Sequence, residues 1–254
     1  MRALLSLLAF CLAALPVSAQ EKVVAGLSQD RISITANFDG SDILIYGAVK
    51  REEPIPQDSK LDVIVTVEGP SAPITVRRKS RRFGVWINTA SVRVDSAPSF
   101  YEVATTAPLK DILSSTEDLR YRISVAQAIR SVGAPQDVLD SPAFSDALIR
   151  IREETGAYRQ DDRGVRLLQD TLFRADIDLP ANLIEGDYKA RIFLVRDRRI
   201  IDQLTEPIGV RKVGLERLLF TMARDEPVLY GLLALALAAA AGWSASALFR
   251  YIRS

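Results

Sequence analysis

Apolar and polar positions alternate through most of the first hundred residues. From Arg31 to Phe38, Ile32, Ile34, Ala36 and Phe38 share one face, with Arg31, Ser33, Thr35 and Asn37 on the other. That period of two is the pattern of a half-buried strand. Asp39-Gly40-Ser41 supplies turn chemistry, and Asp42–Arg51 resumes with Ile43, Ile45, Gly47 and Val49 on one face. A loop over residues 52–59, carrying Pro54 and Pro56, precedes a strand marked by Leu61, Val63, Val65 and Val67 and closed by Gly69-Pro70. Pro73–Asn88 predicts a hairpin, outgoing through Ile74-Thr75-Val76 and returning through Phe83–Asn88. Trp86 lies opposite Phe83, Val85 and Ile87 on the returning strand, and is expected in a core buried on both sides of the sheet. The other place open to it is an exposed contact. Ser91–Val94 and Pro98–Ala104 complete a β-rich half.

The period then changes. Ser115/Thr116 can cap a helix in which Leu119, Ile123, Ala126 and Ile129 or Arg130 recur at helical spacing, stopped by Gly133 and Pro135. Ser141-Pro142 opens a second helix with Phe144, Ala147, Leu148 and Ile151 on one face, ended by Gly156. Residues 108–157 are therefore expected to form a helical insertion. Strands return where Phe173, Ala175, Ile177 and Leu179 alternate with Arg174, Asp176 and Asp178. Gly186-Asp187-Tyr188 opens another, with Tyr188, Ala190, Ile192 and Leu194 on one face, and resembles the tyrosine corner of immunoglobulin-like sandwiches. After a turn at Asp197-Arg198-Arg199, Ile200–Val210 gives the final strand or strands. The predicted fold is mainly β, an immunoglobulin-like antiparallel β-sandwich over residues 20–212 interrupted by that insertion.

Beyond the sandwich, Leu215, Leu218, Leu219 and Met222 repeat at i, i+3, i+4, i+7, predicting an amphipathic helix over residues 213–226. It can lie on the outer leaflet or pack on the sandwich. Pro227–Phe249 then runs 23 residues without a charge, before a basic tail at residues 250–254. About 20 apolar residues in a helix cross a hydrocarbon core, so this is the predicted transmembrane helix. At the other end, Arg2, the apolar run Ala3–Leu15 and small residues before Gln20 have the form of a secretory signal peptide over residues 1–19. A cleaved signal places the domain outside the cytoplasm, and Arg250 and Arg253 agree with a cytoplasmic C-terminus. The expected address is the bacterial inner membrane, single pass, with a periplasmic domain.

Composition narrows the chemistry. The chain has no His, and its one Cys, Cys11, lies in the predicted signal. A zinc site, a Ser-His-Asp triad and a Cys-His pair are therefore excluded within the chain. Loss of Arg2 with the signal leaves 32 basic and 32 acidic residues, which argues against nucleic-acid binding. The carboxylate pairs Glu153-Glu154, Asp161-Asp162 and Asp176/Asp178 sit in polar contexts without the ligand spacing of a calcium loop. No catalytic residue, cofactor or metal is expected. A carboxylate or Ser/Lys enzyme remains the alternative.

Two groups carry possible contacts. Arg77, Arg78, Lys79, Arg81 and Arg82 place five cations in six positions between the hairpin strands. They form either a tip that touches anionic lipid or an acidic partner, or a solvated edge that prevents strand-to-strand aggregation. In the span, Ala234, Ala238, Gly242 and Ser246 fall at four-residue intervals, a stripe that lets two helix backbones approach. It serves either self-association or an integral membrane partner, or is only the spacing of an alanine-rich anchor.

Several stretches together resemble the alphaproteobacterial family of single-pass transmembrane proteins. They are Gly84–Asn88, Pro98–Ala104, Phe173-Arg174-Ala175 with Leu179-Pro180, Gly186-Asp187-Tyr188, Gly214–Arg217, Tyr230-Gly231, and Gly242-Trp243 with Phe249-Arg250. The resemblance implies the layout of signal, exported domain and C-terminal helix, and supplies no activity and no catalytic residue. It also implies permeases of the sulfite-exporter type as neighbours, and so an integral membrane partner. The reading from sequence is a membrane-anchored, non-enzymatic binding or accessory module.

Overall fold

A computed structural model describes residues 21–253 except 36, 53, 55–58, 131–139 and 215–221, and only the backbone from residue 247 onward. The predicted signal, Ala36, Pro56, Gly133, Pro135 and the leucines of the amphipathic run thus lie outside the described residues.

Two β-sheets pack face to face. The first has four strands in the order β1 (Lys22–Leu27), β3 (Gly40–Lys50), β10 (Leu172–Pro180) and β9 (Val165–Leu168). The second has six: β2 (Arg31–Ile34), β12 (Arg199–Lys212), β11 (Gly186–Arg196), β4 (Leu61–Glu68), β7 (Tyr101–Thr105) and β8 (Tyr158–Asp161). Between the sheets lie Ile43, Ile45 and Ile177 from one side and Val63, Val65, Ala190 and Ile192 from the other. These are the faces that the alternation predicts. Each fully buried valine or isoleucine among them stabilises the sandwich by roughly 1.5–3 kcal/mol. The fold is not wholly antiparallel, as β2 joins β12 and β8 joins β7 in parallel at the two edges of the larger sheet. Strands β1, β8 and β9 carry no clear alternation by which to announce themselves. Asp161-Asp162, read from sequence only as a polar pair, lie at the end of β8 and in the turn that follows it.

The larger sheet is buried on its second face as well, and this explains why Leu61–Val67 is buried without a break. Ile64, Tyr101, Val103, Phe193 and Val195 form a second core there. It is covered by α1 (Leu109–Ile112), α2 (Ser115–Tyr121), α3 (Val125–Ala128), α4 (Ser141–Glu154) and the base of the two-stranded ribbon β5 (Ser71–Arg82) and β6 (Val85–Pro98).

The helix expected from Ser115 toward Ile129 is broken at Arg122, whose φ of 52° is left-handed. The Asp118 carboxylate accepts from the N–H of Ile123 and of Ser124 and fixes the bend. The apolar register shifts with it, so Leu119 is exposed while Val125 is buried. Arg191 secures this layer, donating to the Tyr121 carbonyl (2.8 Å), the Tyr101 hydroxyl (3.0 Å) and Thr66 Oγ1 (3.2 Å).

At the C-terminus, α5 runs from Pro227 to Arg253. Its first 20 residues, Pro227–Ser246, have a mean hydropathy of 1.8 and no buried position, and are long and apolar enough to cross a membrane. The helix continues through residues expected in a tail.

Candidate functional site

The outer face of the four-stranded sheet carries an apolar row. Val24, Ala48, Leu172 and Leu168 are aligned across all four strands by the hydrogen-bond register, and Gly26, Tyr46 and Arg174 form the next row. Together they line a groove of about 640 Å³. Its large side chains face solvent, with Leu172 54% and Tyr46 49% exposed. The Tyr46 ring leans over Gly26, where a Cβ would stand 3.3 Å from it. Below the groove, a Cβ on Gly47 would come within 2.4 Å of the Val24 carbonyl and 2.5 Å of the Phe173 ring. Glycine is required there for the floor to close. Charge is graded along the face, from Lys22 and Lys50 at one end to Asp176, Asp42 and Asp178 at the other.

The basic run lies on β5 itself, at the distal end of the β5–β6 ribbon, and the turn beyond it is Phe83-Gly84 alone. Both turn residues have positive φ (50° and 82°), the backbone of a tight hairpin turn. Arg78 is held at the root of the free part, its Nη2 2.6 Å from Asp140 Oδ2 and its guanidinium 4.5 Å from the centre of the Phe144 ring. Arg77, Lys79, Arg81 and Arg82 form no ion pair among the described residues, though Arg81 Nε donates to the Gly84 carbonyl at 3.4 Å. Trp86 pairs with Arg81 across the ribbon. It is 65% exposed and outside both cores, contrary to expectation, because the ribbon has left the sheet before Trp86 is reached.

On α5, Ala234, Ala238, Gly242 and Ser246 recur every fourth residue on the exposed helix, and a Cβ on Gly242 would meet nothing within 4 Å.

Among the carboxylates singled out from sequence, Asp161, Asp176 and Asp178 are engaged by arginines and backbone. Asp176 pairs with Arg174 and Asp178 with Arg159, while Asp161 Oδ1 accepts from the Arg163 N–H. Among the described residues no three His, Cys, Asp or Glu side chains could hold a metal ion. The carboxyl that period-based reading misses is Glu102, on the inner side of β7 with Phe100 and Ala104. It is 2% exposed, and its Oε2 has no hydrogen-bond partner. Burial pushes its pKa up to about 8, against the pull of Arg159 beside it. Sealed from solvent, it cannot touch a substrate in this conformation. Its sequence sign is a lone acid within the apolar run Phe100–Ala104.

The groove went unread because β1 and β9 carry no clear period. Even so, Leu44, Tyr46 and Ala48 opposite Ile43, Ile45 and Gly47 mark β3 as apolar on both faces.

A family model described as "Putative transmembrane protein" (Alph_Pro_TM) matches residues 22–251. No curated protein matches the sequence. Among solved structures, the sporulation control protein Spo0M from Bacillus subtilis is similar at a TM-score of 0.30 and 9% identity, over 80% of this chain and 54% of that one. The chain thus spans about half the length of that protein, and at that score nothing is carried over. With nearly its whole length matched, the chain belongs to the Alph_Pro_TM transmembrane family.

Proposed function

We propose that this family member is a non-enzymatic binding or accessory module. It is anchored in the bacterial inner membrane by α5, with its β-rich domain in the periplasm, and docks an integral membrane protein of the permease kind. The apolar groove on the four-stranded sheet carries the reading. Exposed patches that combine aligned large apolar residues with a charged rim mark protein interfaces. A periplasmic placement is supported by the secretory form of residues 1–19 and by Arg250 and Arg253 past the span. The exposed small-residue stripe of α5 gives the same partner a second place to pack, within the bilayer. The sandwich is read as immunoglobulin-like, supported by the Tyr188 hydroxyl donating to the Ile184 carbonyl at 3.0 Å, as a tyrosine corner does.

Purification in mild detergent tests this. The wild-type chain should recover a stoichiometric integral membrane protein, and Leu172→Asp should lower that recovery at least about tenfold. An unpaired charge buried at an interface costs more than the roughly 1.4 kcal/mol that tenfold represents. Equal recovery by a variant that melts like the wild type would contradict the reading, as would a chain that purifies alone in several detergents.

A further inference from the structure

A different surface carries a second membrane contact. The stretch from Gly69 to Val94 contains no acidic residue and six basic ones, and its distal half stands outside both cores. At its end Phe83 is fully solvent-exposed (105%), and Val85, Trp86 and Ile87 are also exposed. Four large apolar side chains at the end of a narrow ribbon gain nothing from water. They are also too few and too convex to make one side of an ordinary protein interface of roughly 800 Å² per partner.

The cations stand level with them on the facing strand. Arg82 is opposite Val85, Arg81 opposite Trp86, and Lys79 opposite Asn88. At about 3.3 Å per residue, this collar begins within one or two steps of the turn and ends some 10 Å back. Interfacial membrane contacts bury an apolar edge about 5–10 Å into the headgroup–acyl boundary, while the long Arg and Lys side chains beside that edge reach back to the phosphates. Trp is the side chain most at home at that depth. Arg78, tied to Asp140 and Phe144, fixes the ribbon to α4, so the free part projects from a firm root. A bilayer is at hand, because the chain carries its own apolar helix.

We infer that the distal β5–β6 ribbon docks on an anionic bilayer. Phe83, Val85, Trp86 and Ile87 enter the headgroup–acyl boundary, and Lys79, Arg81 and Arg82 bind phospholipid phosphates. The contact does not depend on the groove or on its partner. Together with α5 it holds the domain to the membrane at two points, which restricts how the apolar groove is presented.

The chain has two tryptophans, Trp86 and Trp243. The test uses the full-length Trp243→Phe chain, in which Trp86 alone reports, reconstituted into phosphatidylcholine vesicles with and without a quarter of phosphatidylglycerol. In the anionic vesicles Trp86 emission should shift to the blue, lose most of its intensity to lipids brominated on the acyl chain, and resist aqueous iodide. High salt, or Arg81→Glu with Arg82→Glu, should reverse all three effects without changing the thermal melting of the domain, because these residues lie outside both cores. Water-like Trp86 emission in both vesicle types would overturn the proposal. So would equal protection in neutral and anionic vesicles, or protection that appears only when another protein is reconstituted with the chain.

Discussion

Glu102 shows how one residue can set the pH response of this domain. Its carboxyl is buried between the sheets, at the edge that Arg159 of β8 and Asp178 of β10 bridge at 2.7 Å. Burial favours the protonated form, Arg159 opposes that, and Asp178 and Asp161 add to it, leaving a pKa of about 8. An unfolded glutamate loses its proton near pH 4.5, so between there and about pH 8 the folded state holds one proton more than the unfolded chain. Stability must therefore fall across that window as pH rises. Glu102→Gln should remove the slope. Thermal melting of the full chain in detergent should show the variant gaining roughly 1–3 kcal/mol over wild type near pH 8.5 and little near pH 5. Parallel pH profiles for the two chains would contradict this. Glu21 bends the other way. Burial works against its ionisation, but hydrogen bonds from Arg196 and Arg51 win and hold its pKa below the ordinary value. Its contribution is present above the ordinary glutamate range and is lost in acid.

At the scale of elements, the ribbon and the span are the two parts that leave the core. The ribbon is fixed by Arg78, whose partner Asp140 is about half exposed, so the pair adds little to global stability. Arg78→Ala should leave the melting of the domain within about 1 kcal/mol of wild type. The amides of residues 85–90 should nevertheless exchange faster, because the ribbon has lost its root. Unchanged exchange would show that the strand pairing alone orders the arm. For the span, Gly242→Leu should weaken recovery of a membrane partner and leave domain melting unchanged, since nothing lies within 4 Å of that position. Unaltered recovery would reduce the stripe to alanine-rich composition.

These elements also show what could be read from the chain. Ile43, Ile45, Val63, Val65, Ala190 and Ile192 were legible as core because a single buried face imposes a period of two. Leu119 was misplaced because the left-handed Arg122 interrupts a helical period that continues in the sequence. Trp86 was misplaced because alternation reports which face a side chain shares, and cannot report that the ribbon has parted from the sheet. The groove depends on the register of four strands, two of them only four residues or six residues long. No local pattern announces that.

At the scale of the whole molecule, a sandwich with two cores carries three surfaces that the cores do not use: the apolar helix α5, the basic and aromatic ribbon, and the groove on the smaller sheet. On the proposed reading, the first anchors the chain, the second meets lipid, and the third is left for a protein. By the function proposed above, this third surface docks an integral membrane protein. It is tested most directly by replacing Leu172 with a photo-crosslinking amino acid in the full chain in its native membrane, with exposed Asp146 on α4 as the control position. The account predicts one discrete adduct with an integral membrane protein at position 172 and none at 146. No adduct at 172, or the same adducts at both positions, would contradict it.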